Sequence, residues 1–199
     1  MVEIKNRNEL LENASSLLNR RAREIALSAI EKAIDAVDPR KLIRSKLVLT
    51  NDLLEIDGRK FELSSFRRIF VVGGGKASGS MAEALEEVLG DLVESGVIVI
   101  PHGTSDQHRT KRIKLDEASH PIPDEDSVQG ARKIVSIADQ AGEDDLIICL
   151  ISGGGSSLMA MPREEVSLDD KQGITEMLLR SGANINEINT VRKHISEFK

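Results

Sequence analysis

Aromatic residues are scarce in this sequence, which has no tryptophan, no tyrosine and four phenylalanines in 199 residues. Its hydrophobic core must therefore be aliphatic. The scarcity also argues against the sheet surfaces that bind single-stranded nucleic acid by stacking bases on aromatic rings. A formal net charge of −6 disfavours a general binder of phosphate backbones, although it allows a local basic pocket. We therefore expect no nucleic-acid partner.

Cysteine is nearly absent too. The one cysteine, Cys149, excludes an intrachain disulfide, and we expect it to be buried because it lies in the apolar run 146–151. A reducing, cytoplasmic setting follows as an expectation. No stretch approaches the roughly 20 apolar residues that span a bilayer, and residues 1–7 lack the apolar core of a signal peptide. The sequence thus predicts a soluble protein with no membrane partner.

The first part of the sequence has a helical pattern followed by a turn signal. Apolar residues recur at helical spacing from Asn8 to Val37, and Asp38-Pro39 ends the run. We expect one long amphipathic helix, or two, packed on a sheet. Two short strands, 47–49 and 60–63, flank Asp57-Gly58, which is a typical hairpin signal.

Strands then alternate with helices over the rest of the chain. Such alternation is typical of parallel βαβ units with helices on both faces of the sheet. We therefore predict a three-layer α/β/α, Rossmann-like core over residues 67–199, with a mainly parallel sheet, preceded by the helical segment and hairpin of residues 1–66. The predicted strands are 68–72, 96–100, 145–151 and a short one at 113–115, and the predicted helices are 77–89, 124–141, 167–181 and 185–198.

Three consecutive glycines follow two of the predicted strands, directly after 68–72 and one residue after 145–151. Ligands of open parallel sheets bind beyond the carboxyl ends of the strands, and glycine there lets the backbone approach a ligand closely. The helix that follows offers free N–H groups to an anion. A lysine and several serines add a positive charge and hydroxyl donors, so we predict a phosphate or other anion site. Its residues are Gly73, Gly74, Gly75, Lys76 and Ser78 in the first turn, and Ser152, Gly153, Gly154, Gly155, Ser156 and Ser157 in the second.

The common phosphate-binding and nucleophile motifs do not match these turns. A P-loop would need glycine at Phe70 and Ser or Thr at Ala77, and a dinucleotide fingerprint would need glycine at Ser78. Neither Ser156 nor Ser157 has the Gly-x-Ser-x-Gly frame of a hydrolase nucleophile. Each turn therefore leaves two interpretations open, a ligand site or a tight strand-to-helix connection. Two such turns at strand ends of one domain favour the ligand site.

Polar and basic residues are concentrated in the last predicted helix. On a helix, Asn189 and Lys193 share a face, and Arg192 lies beside them. The alternative is a solvated helix face whose basic end suits the helix dipole. Asn189, Arg192 and Lys193 are therefore candidate site residues.

The histidines carry weaker signals. His120 lies in the loop before the predicted helix 124–141, where it fits a loop hydrogen-bond donor as well as a site residue. His102 and His108 are expected to be solvated. No spacing of His, Cys and carboxylate residues indicates a structural metal site, so the ligands of any metal ion are unassigned.

Four motifs carry a family resemblance. They are Val71-Val-Gly-Gly-Gly-Lys-Ala-Ser78, Glu117-Ala-Ser-His-Pro-Ile-Pro-Asp124, Leu150-Ile-Ser-Gly-Gly-Gly-Ser-Ser157 and Asn189-Thr-Val-Arg-Lys-His194. In order and spacing they closely resemble the glycerate 2-kinases of the MOFRL type, a family in which some members carry the name hydroxypyruvate reductase. The resemblance covers essentially the whole chain, and four ordered motifs are far more specific than any one of them.

The resemblance implies phosphorylation of D-glycerate to 2-phosphoglycerate with ATP and Mg²⁺, in a cleft between this domain and a C-terminal domain. It implies catalytic roles for Lys76, in contact with the substrate or the transferring phosphate, and for Arg192. Which glycine turn holds ATP and which holds glycerate is open. The residues implied to bind substrate or nucleotide are the two glycine turns with their serines, His120, Asn189 and Lys193.

Members of that family are longer than this chain, and we expect their C-terminal domain to be absent from it. Kinase activity is then expected to need that domain, in the same polypeptide or in a separate chain, and a homodimer is a further expectation. Two alternatives are open. A hydroxypyruvate reductase would need an acidic residue about 20 positions beyond the first glycine turn, where Glu94 lies. A non-catalytic fragment, or one chain of a split enzyme, would be inactive alone.

Overall fold

A computed structural model describes residues 2–198, and these residues form two β-sheets and eight α-helices. Within them, no helix is both long and apolar enough to cross a membrane. The helices are α1 (Arg7–Glu12), α2 (Leu17–Ala36), α3 (Pro39–Lys46), α4 (Ser78–Leu89), α5 (Glu125–Gln140), α6 (Gly155–Leu158), α7 (Leu168–Arg180) and α8 (Ile185–His194). The strands are β1 (Leu47–Thr50), β2 (Leu53–Ile56), β3 (Arg59–Glu62), β4 (Arg68–Gly74), β5 (Val93–Pro101), β6 (Ile113–Ala118) and β7 (Asp145–Ile151).

The larger sheet is wholly parallel, in the order β6-β5-β4-β7. From β4 the chain moves outward to β5 and β6 on one side, and then crosses back to β7 on the other side. α4 packs on one face of the sheet, and α5 and α6 pack on the other. The predicted three-layer α/β/α architecture is therefore confirmed, with β4 as the strand where the order reverses.

Each face of this sheet has its own aliphatic core. Burying one such side chain contributes about 1.5–3 kcal/mol relative to leaving it in water, so the two cores account for much of the stability. The core under α4 includes Ile69, Val71, Leu85, Ile98 and Leu150, and the core under α5 and α6 includes Val72, Val99, Ile134, Leu158 and Met159.

Local signals set the ends of the helices near the glycine turns. α5 begins with a capping box, in which Asp124 accepts from the Ser127 N–H at 2.9 Å and Ser127 Oγ accepts from the Asp124 N–H at 3.1 Å. α8 ends at His194 and not at residue 198 as predicted, because Ser196 forms a β-bridge with Pro162 instead of extending the helix.

The N-terminal pattern gives two helices, α1 and α2, but the expectation that they pack on a sheet is wrong. None of the residues of α2 is buried. The helix instead contacts α1, through an ion pair of Arg7 with Glu31 at 2.6 Å and a hydrogen bond from Arg23 to the Leu10 carbonyl at 2.7 Å. The apolar stripe of α2 therefore stays exposed.

The small sheet has three strands where the sequence predicts two. Asp57-Gly58 connects β2 to β3 as the hairpin signal indicates. The predicted strand 47–49, however, pairs with β2 and not with the strand after the hairpin. The chain turns at Asn51, whose φ of +54° is a left-handed conformation that asparagine tolerates. No glycine marks this turn, which explains the missing strand.

α3 is a helix that the sequence pattern does not predict, because Asp38-Pro39 indicates only a helix end. Proline is equally suited to a first helical turn, and the Asp38 side chain caps α3 by accepting from the Lys41 N–H at 2.9 Å. An ion pair of Arg40 with Glu83 at 2.6 Å joins α3 to α4. Leu47, Leu54 and Leu63 from the same region join the core under α4.

β7 matches the predicted strand 145–151 residue for residue, but it is an edge strand with β4 as its one neighbour. Cys149 is exposed, and so is 65% of Ile151. The expectation of a buried cysteine is therefore wrong. An apolar run predicts a strand, but it does not tell whether a second strand covers its outer edge.

Candidate functional site

The two glycine turns lie side by side at the carboxyl ends of β4 and β7. These neighbouring strands flank the point where the strand order reverses, which is where open α/β sheets bind ligands. The Lys76 backbone N–H donates to the Gly153 carbonyl at 2.9 Å, and the Ser152 N–H donates to the Gly74 carbonyl at 3.3 Å. The two turns predicted from the sequence are therefore one hydrogen-bonded structure.

Glycine is required where the two turns touch. Gly75 has a φ of +146°, and a Cβ at this position would lie 2.2 Å from Ser152 Oγ. Gly154 has a φ of +96°, and its Cβ would lie 2.9 Å from Cδ2 of His120. At Gly153, by contrast, a Cβ would meet no atom within 4 Å. Gly153 thus borders open space in which a ligand can approach the backbone.

Several of the predicted hydroxyl donors are used inside the turns. Ser152 Oγ accepts from the Ala77 N–H at 3.0 Å and lies 3.0 Å from Ser78 Oγ, and Ser78 is fully buried. Ser157 Oγ donates to the Gly154 carbonyl at 3.1 Å. These hydroxyls hold the turns in shape, and their contact with a ligand stays a prediction.

The helices that follow the turns differ in length. α4 has twelve residues, whereas α6 has four and contains the half-buried Ser156. The partial positive charge at a helix N-terminus comes from aligned peptide dipoles, so α4 offers an anion more than α6 does. The first glycine turn is the more favourable place for a phosphate on this criterion.

Basic groups from three distant parts of the sequence lie near the second turn. Lys76 Cγ and the His120 ring both lie next to the position of a Gly154 Cβ. Partial desolvation of the ring, followed by the positive charges of Lys76 and Arg192, lowers the pKa of His120. Lys76 is exposed, and no salt bridge between residues 2 and 198 involves it.

Arg192 reaches this region from α8 and is half-buried. Its Nε and Nη2 atoms are buried without a hydrogen-bond partner in the described part of the chain. Burial also lowers the pKa of Arg192. Buried cationic groups are ordinarily paired or hydrogen-bonded. These two nitrogen atoms have no such partner among the described residues, so they can donate to an acceptor from outside them.

Lys171 on α7 is a further basic residue, which the sequence analysis did not single out. It is only 2% exposed, and its Nζ donates to the Ile195 carbonyl at 3.1 Å. Burial, followed by the charge of Arg192, lowers the pKa of Lys171 to about 8. We refer to Lys76, His120, Lys171 and Arg192 as the basic cluster. An anion would supply the negative charge that this cluster lacks.

The two other candidate residues of α8 differ in their exposure to solvent. Asn189 is half-buried next to the buried Ile188, whereas Lys193 is exposed. The inward side of α8 is therefore formed by Asn189 and Arg192, three residues apart, more than by Asn189 and Lys193. Binding roles for Asn189 and Lys193 stay predictions.

The expectation that His102 is solvated is confirmed by its exposure, whereas the same expectation for His108 is wrong. The His108 side chain is 9% exposed, and its ring would contact a side chain placed at Gly79. His102 Nε2 lies 2.8 Å from Asp124 Oδ2, and this contact raises the pKa of His102. His102, Asp124 and Asp126 also form a group whose ligand atoms lie within 4.8 Å of one another, which sequence spacing did not indicate. The group is largely exposed, and Asp124 already caps α5.

A cavity of about 800 Å³ lies elsewhere, between α5 and residues 161–168, and none of the glycine turns lines it. The fold is an α/β domain in which both glycine turns lie at the carboxyl edge of a parallel sheet, at its topological switch point, and the binding of an anion there stays a prediction. The chain belongs to the DUF4147 family, described as a domain of unknown function, whose model matches residues 25–199.

Relatives of this chain carry two kinds of name. The chain is 45% identical over 177 residues to a glycerate 2-kinase of Pyrococcus horikoshii. It is 40% identical over 178 residues to an Agrobacterium vitis protein with the provisional name hydroxypyruvate reductase. Each match covers 89% of this chain, but only 39% and 37% of the relatives.

A solved structure supports the same fold. The crystal structure of glycerate kinase from Thermotoga maritima matches 87% of this chain with a TM-score of 0.69 at 38% identity, and the match covers 38% of that protein. The chain therefore spans well under half the length of the relatives that it resembles.

Proposed function

We propose that this chain is part of a glycerate 2-kinase, which transfers the terminal phosphoryl group of ATP to the 2-hydroxyl of D-glycerate. The observation that carries the proposal is the meeting of both glycine turns with the basic cluster at one edge of the sheet. Phosphoryl transfer depends on alignment and on positive charge around the migrating group more than on covalent chemistry. The names of the Pyrococcus horikoshii and Thermotoga maritima proteins support this choice.

Each residue of the site has a role that follows from its chemistry. Lys76 is exposed and forms no salt bridge within residues 2–198, and it contacts the glycerate carboxylate or the transferring phosphoryl group. Arg192 offers its two unpartnered nitrogen atoms to another oxygen of these anions. His120, whose lowered pKa favours the neutral ring at pH 7, can accept the proton of the substrate hydroxyl. The glycine turns let both anions approach the backbone.

The donors at the turns fit ATP phosphates better than they fit Mg²⁺. ATP would supply the phosphoryl group, and N–H, hydroxyl and cationic groups suit its oxygen atoms. Mg²⁺ prefers carboxylate and other oxygen ligands, which the basic cluster does not offer. We propose that Mg²⁺ arrives with the nucleotide and takes its protein ligands from the part of the relatives' length outside this chain.

Hydroxypyruvate reduction is less compatible with the structure. A dinucleotide site needs an acidic residue at the carboxyl end of the strand after the glycine turn, where it binds the ribose. Glu94 is the second residue of β5, at the amino end and thus at the opposite edge of the sheet. The carboxyl end of β5 is Pro101, and His102 follows it.

Activity is proposed to need the part of the relatives that this chain does not span. The site is an open edge, and phosphoryl transfer requires exclusion of water from the reacting groups. We further propose that residues 1–66 and 67–199 are the helical segment and the core of an N-terminal kinase domain. A reducing cytoplasmic setting fits the single Cys149, and a homodimer stays a prediction.

Reconstitution tests the proposal. The chain would be co-expressed with a polypeptide that carries the unmatched part of the Pyrococcus horikoshii relative, and D-glycerate-dependent release of ADP would be measured. We expect ADP and 2-phosphoglycerate in equal amounts. As a control, the Pyrococcus horikoshii protein is split at the same boundary. The proposal is wrong if the split Pyrococcus horikoshii protein is active but the complex that contains this chain is not a kinase. That outcome would be either NADH- or NADPH-dependent hydroxypyruvate reduction alone, or neither reaction.

A further inference from the structure

The two edge strands of the parallel sheet have different side chains. β6 carries Lys114, Asp116 and Glu117 within six residues, and charged side chains on an edge strand prevent pairing with another strand. β7 has no charged residue after Asp145, and its remaining six residues are all apolar. A continuous apolar run is typical of a parallel strand that has neighbours on both sides and cover on both faces.

One face of β7 is covered and the other is not. Leu146, Ile148 and Leu150 pack into the core under α4. On the opposite face, Ile147 contacts the core under α5, but Cys149 is exposed and Ile151 is 65% exposed. α5 lies over β4, β5 and β6, so this face of β7 extends beyond the helix layer. On this side the sheet therefore ends in a strand whose sequence is typical of a central strand.

We propose that the outer edge of β7 binds a parallel β-strand supplied by the part of the relatives' length that this chain does not span, with apolar cover over Cys149 and Ile151. That part is the larger share of the Pyrococcus horikoshii relative, of which this chain covers 39%. The inference rests on the proposed function in one respect, that this chain works together with the missing part. It does not depend on the reaction.

The position of this edge has a consequence for the site. Ile151 is followed directly by Ser152 and the second glycine turn. A parallel strand added next to β7 ends at the same edge of the sheet, so the loop after it borders Gly153.

Cys149 provides a direct reporter, because it is the single thiol of the chain and lies on the uncovered face. The chain would be labelled with a maleimide under native conditions, alone and after co-purification with the unmatched part of the Pyrococcus horikoshii relative made cysteine-free. Partial burial raises the pKa of Cys149, so we expect the folded chain alone to label more slowly than urea-unfolded chain. Labelling in the complex should be at least 10-fold slower than labelling of the folded chain alone. The matched control is a double variant in which Cys149→Ser removes the native thiol and Lys114→Cys places a new one on β6. Its thiol should label equally fast in the chain alone and in the complex.

A charge at the same place gives the second measurement. Ile151→Lys should leave the melting temperature of the chain alone within about 2 °C, since the side chain is already exposed, and should abolish co-purification. Lys114→Glu should not affect co-purification. Equal labelling of Cys149 with and without the partner, or a complex that forms with Ile151→Lys, would overturn the proposal. If the chain alone sediments as a dimer and its Cys149 is protected, the proposal is overturned, and a second copy of this chain is the partner of β7.

The outcomes separate this surface from the proposed reaction. A complex that releases ADP with D-glycerate while Cys149 labels freely retains the kinase and rejects the surface. A complex that protects Cys149 without any glycerate-dependent ADP release retains the surface and rejects the kinase.

Discussion

The backbone N–H of Lys76 donates a hydrogen bond of 2.9 Å to the carbonyl of Gly153. This bond joins the ends of two parallel strands that are far apart in sequence, and it fixes the backbone from which the Lys76 side chain extends. The same contact leaves Gly153 facing open space. Lysine and glycine thus border one region, where a ligand would meet a positive charge and an accessible backbone together.

Two glycine substitutions should separate fold from ligand contact. Gly75→Ala places a Cβ 2.2 Å from Ser152 Oγ at a positive φ, so we expect it to lower the free energy of unfolding by about 2 kcal/mol or more. Gly153→Ala meets no atom within 4 Å and should change stability by no more than about 0.5 kcal/mol. In the reconstituted kinase, however, Gly153→Ala should reduce kcat/KM at least 10-fold because the methyl group occupies ligand space.

Denaturant unfolding of the chain and steady-state kinetics of the complex measure these effects. If Gly153→Ala has wild-type kinetics, no ligand approaches that part of the second turn. If Gly75→Ala is as stable as wild type, the close packing between the two turns is not as described.

Removing the charge of Lys171 should not unfold the domain. Its folded-state pKa of about 8 lies below the usual value of 10.5, so between these values the unfolded chain binds more protons and stability rises with pH. Lys171→Met should abolish that rise, and at pH 7 it should leave the melting temperature equal or higher, because an unpaired buried charge is lost. Activity of the reconstituted kinase should fall at least 10-fold.

The matched control is Lys60→Met, an exposed lysine on β3, which should alter neither property. The hydrogen bond from Lys171 to Ile195 allows a different role, as a cap of α8. A lowered melting temperature of Lys171→Met with unchanged kinetics would favour the cap and remove Lys171 from the site.

Glu117 should make the loop after β5 sensitive to acid. The backbone N–H groups of Gly103, Ser105 and Thr104 donate to its carboxylate, and these bonds lower the pKa of Glu117 to about 2 from its usual 4.5. Its contribution to stability is therefore complete above about pH 4.5 and is lost as the pH falls toward 2. Glu117→Gln should lower the free energy of unfolding by about 1 kcal/mol at pH 7 and by little at pH 2.

Urea unfolding of both proteins across this pH range tests the assignment. Glu62→Gln, on the exposed side of β3, serves as the control and should shift stability equally little at every pH. A constant difference between wild type and Glu117→Gln from pH 7 to pH 2 would contradict the role of the charged carboxylate.

The sequence predicts the parallel core well because its signals are local and strong. β-branched runs fix β4, β5 and β7, and glycines at strand ends mark the turns. The errors fall where the decisive contact is not local. The turn at Asn51 has no glycine, Asp38-Pro39 both ends α2 and begins α3, and the exposure of Cys149 depends on which strands flank β7.

The site shows the same limit. Gly73–Gly75, Lys76 and the second turn are visible as motifs, and the fold joins them because β4 and β7 are neighbours. Lys171 was overlooked although a signal existed, since it shares a helix face with Leu168 and Thr175, where an apolar residue is the usual choice. Its proximity to Arg192 could not be predicted, because it depends on how α7 and α8 pack together.

The central claim, that the glycine turns and the basic cluster bind the reacting anions, is tested most directly by Lys76→Met. Methionine keeps much of the apolar stem and removes the charge, and because Lys76 is exposed the melting temperature should not change. The measurement is kcat/KM for D-glycerate and for ATP in the reconstituted complex, next to Lys114→Met on β6 as the control. We predict a loss of about 100-fold or more for Lys76→Met, as for removal of a group that stabilises transition-state charge, and none for the control. Near-wild-type kinetics of Lys76→Met would contradict the account and reduce the first glycine turn to a structural connection.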